Sequence, residues 1–279
     1  MQKPSEEPLL NGKLEFERAC KVTDILVKQK KIPKESGDAF LKAIELCDKI
    51  TWTYHLVSGS GSCYFQTKDS LIKENFEVIE NTEPIFFKKM SLTDFDSYKF
   101  EYPISCRLES ERSSWDHCEI VEGDICNLTH TALLFEYGGW HDERRTHDVG
   151  MPHEFQGSSG DRYEWRAPII RGQDNVPHTI VTSYHVTDSL EPILRGELLA
   201  ILRVTWWKTK VVIEEGHKVT PILLISIRPS YFQLIEAFYN GSKFVLRYGH
   251  PVPMKLTDSM EHRQEVYNWA FRWILSSPV

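Results

Sequence analysis

None of the six cysteines in this 279-residue chain forms a C-x-x-C pair, and Cys20, Cys47, Cys63, Cys106, Cys118 and Cys126 follow no regular interval. Cysteine-pair zinc sites and thioredoxin-like motifs are therefore excluded. A disulfide scaffold is not expected in a chain this long, so the thiols are read as reduced and the protein as intracellular. An apolar segment after the N-terminus is also missing: Met-Gln-Lys-Pro-Ser-Glu-Glu-Pro is polar and charged, and no signal peptide is expected. No run approaches the roughly 18 apolar residues of a membrane span, so no membrane anchor is expected. Basic charge is in deficit. With 33 Lys and Arg against 40 Asp and Glu, the net charge of −7 argues against broad electrostatic binding to nucleic acid or anionic lipid, though not against a local basic groove. Walker, G-x-G-x-x-G, G-x-S-x-G, H-E-x-x-H and kinase signatures are all absent. The sequons at Asn127 and Asn240 are read as chance matches in an intracellular chain.

Apolar material is plentiful. Hydrophobic residues make up 41% of the chain, with 8 Trp, 14 Phe and 11 Tyr, enough for a large core in one domain or two small ones. Residues 1–11 read as a disordered tail. Apolar residues recur at helical period over 13–31 (Leu14, Ala19, Val22, Ile25, Leu26) and over 34–57 (Phe40, Ala43, Ile44, Cys47, Ile50, Tyr54). Ile32-Pro33 separates the two, so 12–57 is expected to be a helical hairpin packed on the main domain. Ser58-Gly-Ser-Gly-Ser62 has flexible-linker composition, natural or engineered in place of a longer loop. Residues 63–279 are expected to form a single α/β (or α+β) domain, a mixed sheet flanked by helices.

Within it, Ala132 to Tyr137, Tyr163 to Ala167 and the alternating, β-branched run His178 to Val186 read as strands. A long helix is expected from Asp188 to Trp207, capped by Asp188 with Glu191 and with Pro192 in its first turn. Thr220 to Ile227, Tyr231 to Tyr239 and Ser242 to Tyr248 read as strands, the last two joined at Asn240-Gly241, a strong hairpin signal. Asp258 with Glu261 predicts the cap of a terminal helix whose apolar face is Val266, Trp269, Ala270, Trp273 and Ile274.

One residue contradicts its surroundings. Glu197 lies a turn from Ile193 and from Ile201, inside the apolar stripe of its helix, where a charge is rarely buried without a partner or a task. Alternation also places Glu236 with Phe232, Leu234 and Phe238 on one apolar strand face. The helix–strand–strand–strand–helix order over 188–275 resembles the core of the PD-(D/E)XK nuclease-like superfamily. In that family a helix carboxylate, a carboxylate on the second strand and an acid-x-Lys pair on the third gather Mg²⁺ and a water. The resemblance implies Glu197 and Glu236 as metal ligands, with Lys243 or Arg247 near the attacked phosphate. Val245 stands where the acid of the third strand should be, so the expected metal site is incomplete. Arg195-Gly-Glu-Leu-Leu-Ala200 with Pro221-Ile-Leu-Leu-Ile-Ser-Ile227 is also similar to uncharacterised proteins of filamentous fungi, a similarity that implies no function. The competing reading is a buried ionic network joining Glu197 or Glu236 to Arg195, Lys243 or Arg247.

A second candidate is the polar loop Gly138-Gly-Trp-His141-Asp-Glu-Arg-Arg-Thr-His147-Asp-Val-Gly-Met-Pro-His153-Glu154. Its imidazoles and carboxylates suit Zn²⁺, but the five-residue gaps between His141, His147 and His153 match no standard ligand spacing, and a solvated charged loop explains them equally. His178 and His185, seven apart on a strand, should face opposite sides. The functional expectation is an intracellular binding or regulatory protein with a non-catalytic α/β core engaging a protein partner. A Mg²⁺-dependent nuclease or phosphodiester hydrolase is the alternative, with nucleic acid as its partner.

Overall fold

The computed structural model describes residues 34–57, 71–97, 118, 120–121, 123–125, 139–142, 165–187, 191–212 and 216–279. The helices whose bounds it describes are α1 (Lys34–Val57), α2 (Leu92–Ser97), α3 (Arg195–Val212) and α4 (Met260–Ile274). The main strands are β1 (Phe76–Glu80), β4 (Trp165–Gln173), β5 (Val176–His185), β6 (Ile222–Arg228), β7 (Tyr231–Tyr239) and β8 (Phe244–Tyr248). Two-residue strands complete the set: β2 (Phe87–Lys88), β3 (His141–Asp142), β9 (Val252–Pro253) and β10 (Ser277–Pro278). This is the α/β class that the sequence predicts, with a helix over 34–57. The first arm of the expected hairpin, the 58–62 linker and the 132–137 strand lie outside the described residues.

The sheet runs β1-β8-β7-β6-β5-β4-β3, with β9 joined to β7. It is mixed because β1 and β8 are parallel, as are β5 and β6, with Thr179 opposite Ile222 and Tyr184 opposite Ile227. A parallel pair needs a crossover, and α3 supplies it. The strands β6, β7 and β8 then form an antiparallel meander. Its second turn follows from Asn240-Gly241. Asn240 Oδ1 accepts the N–H groups of Ser242 and Lys243 at 3.0 Å each, and Gly241 takes φ +97°, open to glycine at no steric cost.

Both faces of the sheet are covered, so β6 is buried at every position rather than alternating. On one face Ile222, Leu224, Ile235, Ala237 and Leu246 pack under Leu198, Ile201, Leu202 and Trp207 of α3, with Ala43, Leu46 and Cys47 of α1 joining the same cluster. On the other face Leu223, Ile225, Ile227, Phe232 and Leu234 pack against Val266, Ala270, Phe271 and Ile274 of α4. The spacing of the four α4 residues is the one a buried helical stripe requires.

Three boundaries depart from expectation. α3 starts at Arg195, not at Asp188, which is outside the described residues, and it extends beyond Trp207 to Val212. Glu191 does not cap it. Instead the Leu194 N–H donates to Glu197 Oε2 at 2.7 Å, the back-reaching half of a capping box placed six residues later than expected. In α4 the cap is Ser259, whose Oγ accepts the His262 N–H at 3.2 Å, while Asp258 instead accepts the Lys255 N–H at 2.7 Å. Ser259→Ala is expected to lower stability by about 1 kcal/mol, a change that urea denaturation will register.

Residues 84–88 form a strap on the α4 face. The Ile85 and Phe86 N–H groups donate to the Glu236 carboxylate, and Lys88 and Phe87 pair with Ser277 and Pro278. The Val279 N–H reaches the Phe86 carbonyl at 2.9 Å, and the Lys89 ammonium lies 5.3 Å from the Trp273 ring centroid. The strap and the last strand therefore hold one another.

Candidate functional site

Glu197 is fully buried at the first turn of α3. Its carboxylate accepts five hydrogen bonds: Arg228 Nε at 3.0 Å, Arg228 Nη2 at 2.7 and 2.8 Å to its two oxygens, Ser226 Oγ at 2.5 Å, and the Leu194 N–H at 2.7 Å. The planar guanidinium suits this fork. Its remaining donors reach the Glu191 carbonyl at 2.7 Å, the Pro192 carbonyl at 3.3 Å and the Tyr231 hydroxyl. Burial works to raise the Glu197 pKa, but Arg228, His185 and the Leu194 and Ser226 hydrogen bonds outweigh it and hold the carboxyl below its ordinary value.

Strand parity explains the geometry. Ser226 and Arg228 share the α3 face of β6 with Ile222 and Leu224, which brings a hydroxyl and a guanidinium under the helix N-terminus. On the adjacent strand Ser183 and His185 share that face with Val181. The Ser183 Oγ lies 3.0 Å from His185 Nε2. Burial pushes the His185 pKa down to about 4, Arg228 adds to that shift, and Glu197 opposes it. At neutral pH the imidazole is uncharged, as its place beside a buried guanidinium demands.

Glu236 belongs to a different cluster. Leu223 stands opposite it in β6 and Arg247 opposite it in β8, and that row lies on the α4 face. Its oxygens accept the Ile85 N–H at 2.9 and 3.0 Å and the Phe86 N–H at 2.8 Å, with Arg247 Nε at 3.5 Å. Burial raises its pKa, and the two N–H groups and Arg247 offset only part of that rise.

The structure does not bring together the two carboxylates expected to hold one Mg²⁺. The helix carboxylate enters the sheet from the α3 side, whereas alternation turns Glu236 to the α4 side, so the sheet itself stands between them. A Mg²⁺ ion demands oxygen ligands at about 2.1 Å, and both carboxylates have their lone pairs engaged by protein donors. Of the expected cations, Lys243 is exposed at the β7–β8 hairpin, and Arg247 serves Glu236 and the Glu83 carbonyl at 3.2 Å. Of the competing ionic network, the expected Glu236–Arg247 pair is present, at 3.5 Å, whereas the cation that meets Glu197 is Arg228, which was not among those expected. A signal for it lay in the sequence: Ser226 and Arg228, two apart, interrupt an otherwise apolar strand on one face.

In the histidine loop, His141 sits on β3, its Nδ1 3.9 Å from Asp174 Oδ1, while His147 and His153 lie outside the described residues. Among the described residues no group of three His, Cys, Asp or Glu side chains is placed to hold a metal ion. His178 and His185 do face opposite sides, as alternation predicts. Unforeseen is that both are buried, at 7% and 2% exposure.

Glu236 has a simple structural test. Glu236→Ala removes the acceptor for two strap N–H groups and is expected to cost about 2–3 kcal/mol, whereas Glu236→Gln keeps one acceptor oxygen and costs less. Thermal unfolding of the two variants separates these outcomes. Comparisons with protein-family models, with curated proteins and with solved structures find no match for this chain.

Proposed function

We propose that this is an intracellular binding or regulatory protein whose α/β core is non-catalytic and which engages a protein partner. One observation carries the reading: Glu197 and Glu236, the carboxylates a hydrolase of the resembled type would need together, are separated by the sheet and each already accepts hydrogen bonds from protein donors. A group that spends its lone pairs on Arg228, Ser226 and backbone N–H groups organises the core rather than a water or a phosphate. The buried thiols Cys47 and Cys118 are in keeping with a reducing compartment. Among the described residues no helix is long and apolar enough to cross a membrane. The half-exposed Ile85 within the strap, Leu92 shortly after it and Val279 at 73% exposure offer apolar contacts for a partner.

Two measurements test this. Incubation with Mg²⁺ or Mn²⁺ and single- or double-stranded DNA or RNA is expected to give no cleavage above a buffer blank. Cleavage that co-purifies with the protein and disappears in Glu236→Gln would restore the hydrolase reading. A photo-crosslinking amino acid at Leu92, used in cells, is expected to give discrete protein adducts that Ile85→Asp suppresses. Adducts to nucleic acid instead would overturn the protein-partner assignment.

A further inference from the structure

His178 is the buried titratable group that the Glu197 cluster does not use. It opens the buried part of β5 on the α4 face, two residues before Ile180. Its ring meets Phe87 edge-on at 5.3 Å between centroids and Phe86 at 6.3 Å, and Phe86 in turn packs on Phe238 at 4.8 Å. Phe86, the centre of the strap, is thus wedged between His178 and a β7 aromatic. Neither ring nitrogen of His178 has a partner in hydrogen-bonding geometry among the described residues. The same strap is gripped by Glu236 through the Ile85 and Phe86 N–H groups, and it holds the C-terminal strand through β2–β10 and the Val279 N–H.

We propose that His178 is an acid-sensitive latch: a proton on its ring loosens the 84–88 strap and the β10 strand held by it, uncovering the apolar end of the sheet at Phe238. Charging an imidazole in this place puts a cation among phenyl rings, away from water, with the Phe86 backbone alone among the groups acting on it favouring the charge. The surrounding charges favour the neutral ring at neutral pH. Burial lowers its pKa to about 4, His217 ahead of β6 and Lys208 of α3 push the same way, and the Phe86 backbone offsets them in part. Release returns the ring to water and to its ordinary basicity, so protons favour the open strap. Glu236 acts in the opposite sense. Its carboxyl is harder to ionise when covered, and acid therefore favours the closed strap through that residue. Arg247 faces Glu236 and moderates this, while Lys89, just after the strap, is set between the charges of Arg272 of α4 and Glu83.

Hydrogen exchange at the Ile85, Phe86 and Val279 amides, corrected for intrinsic rates, is the test. Between pH 7.5 and pH 5 the opening equilibrium of the wild-type strap is expected to rise roughly thirtyfold from His178 alone, trimmed by Glu236. In His178→Phe the rise should vanish or reverse, since only Glu236 remains. His178→Gln, also uncharged, serves if the Phe variant does not fold. An equal rise in either variant overturns the latch, as does an equal acid response at the core amides of Leu224 and Ile235. An NMR titration that finds the folded-state pKa of His178 near 6.5 does so as well.

Discussion

Glu197→Gln is expected to lower the stability of the fold by about 3–5 kcal/mol, the range for removing one partner of a buried ion pair. The substitution leaves the size of the side chain nearly unchanged, but Arg228 loses its counter-charge at 3% exposure and must stay buried beneath α3. Arg228→Met should cost a similar amount, because Glu197 then keeps only the Ser226 hydroxyl and the Leu194 N–H. The double variant Glu197→Leu with Arg228→Met should cost far less than the sum of the singles, since two apolar side chains leave neither charge stranded. Arg228→Lys keeps the charge but not the fork and should fall between wild type and Arg228→Met. Denaturant midpoints of the four variants, and of Glu197→Leu alone to close the cycle, check the set. A single-site cost under about 1 kcal/mol would mean that the pair does not organise this end of the sheet.

The second large effect is on pH. His178 and His185 are each lowered from 6.5 to about 4. The folded protein therefore binds fewer protons at these sites than the unfolded chain. Their stabilising effect is complete above pH 6.5 and is lost as pH falls towards 4, by on the order of 3 kcal/mol for each histidine over the full window. At pH 5 the loss should be about 2 kcal/mol for each. Glu197, whose pKa is lowered, adds acid sensitivity below its ordinary carboxyl range, while Glu236, whose pKa is raised, subtracts from it. Urea denaturation at pH 7.5 and pH 5 is expected to show the fall in stability, and His185→Gln should remove about half of it. The Ser183 hydroxyl can satisfy the Gln amide as it now satisfies Nε2. An unchanged pH dependence in His185→Gln would show that the ring is solvated in the folded state.

Period and punctuation were enough to predict much of this architecture. The 3.6-residue spacing of Phe40, Ala43, Ile44 and Cys47 marked α1, and Asn240-Gly241 marked the turn between β7 and β8, because both are local constraints that the chain carries wherever it folds. Strict alternation likewise predicted that Glu236 shares a face with Phe232 and Leu234. Helix starts were less legible. Asp188 and Glu191 have the composition of a cap, but the helix waits until Arg195, where Glu197 can close on Leu194 while meeting Arg228. A tertiary contact decides between two locally adequate starts.

The carboxylates show most clearly what local pattern leaves open. That Glu197 and Glu236 are buried followed from the apolar residues around each. Whether they meet depended on which side of one sheet α3 and α4 take, and side-chain period says nothing about that. The crossover from β5 to β6 places α3 on the face of Ser226 and Arg228. The meander then turns Glu236 to the opposite face, towards a strap some 150 residues earlier in the chain. Sequence alone determined the main elements from β5 to α4, their order and the apolar residues that had to be buried, since these depend on neighbours within a few residues. The partners of the buried charges were decided only by tertiary structure, because strand pairing and helix placement bring together groups that no spacing along the chain relates.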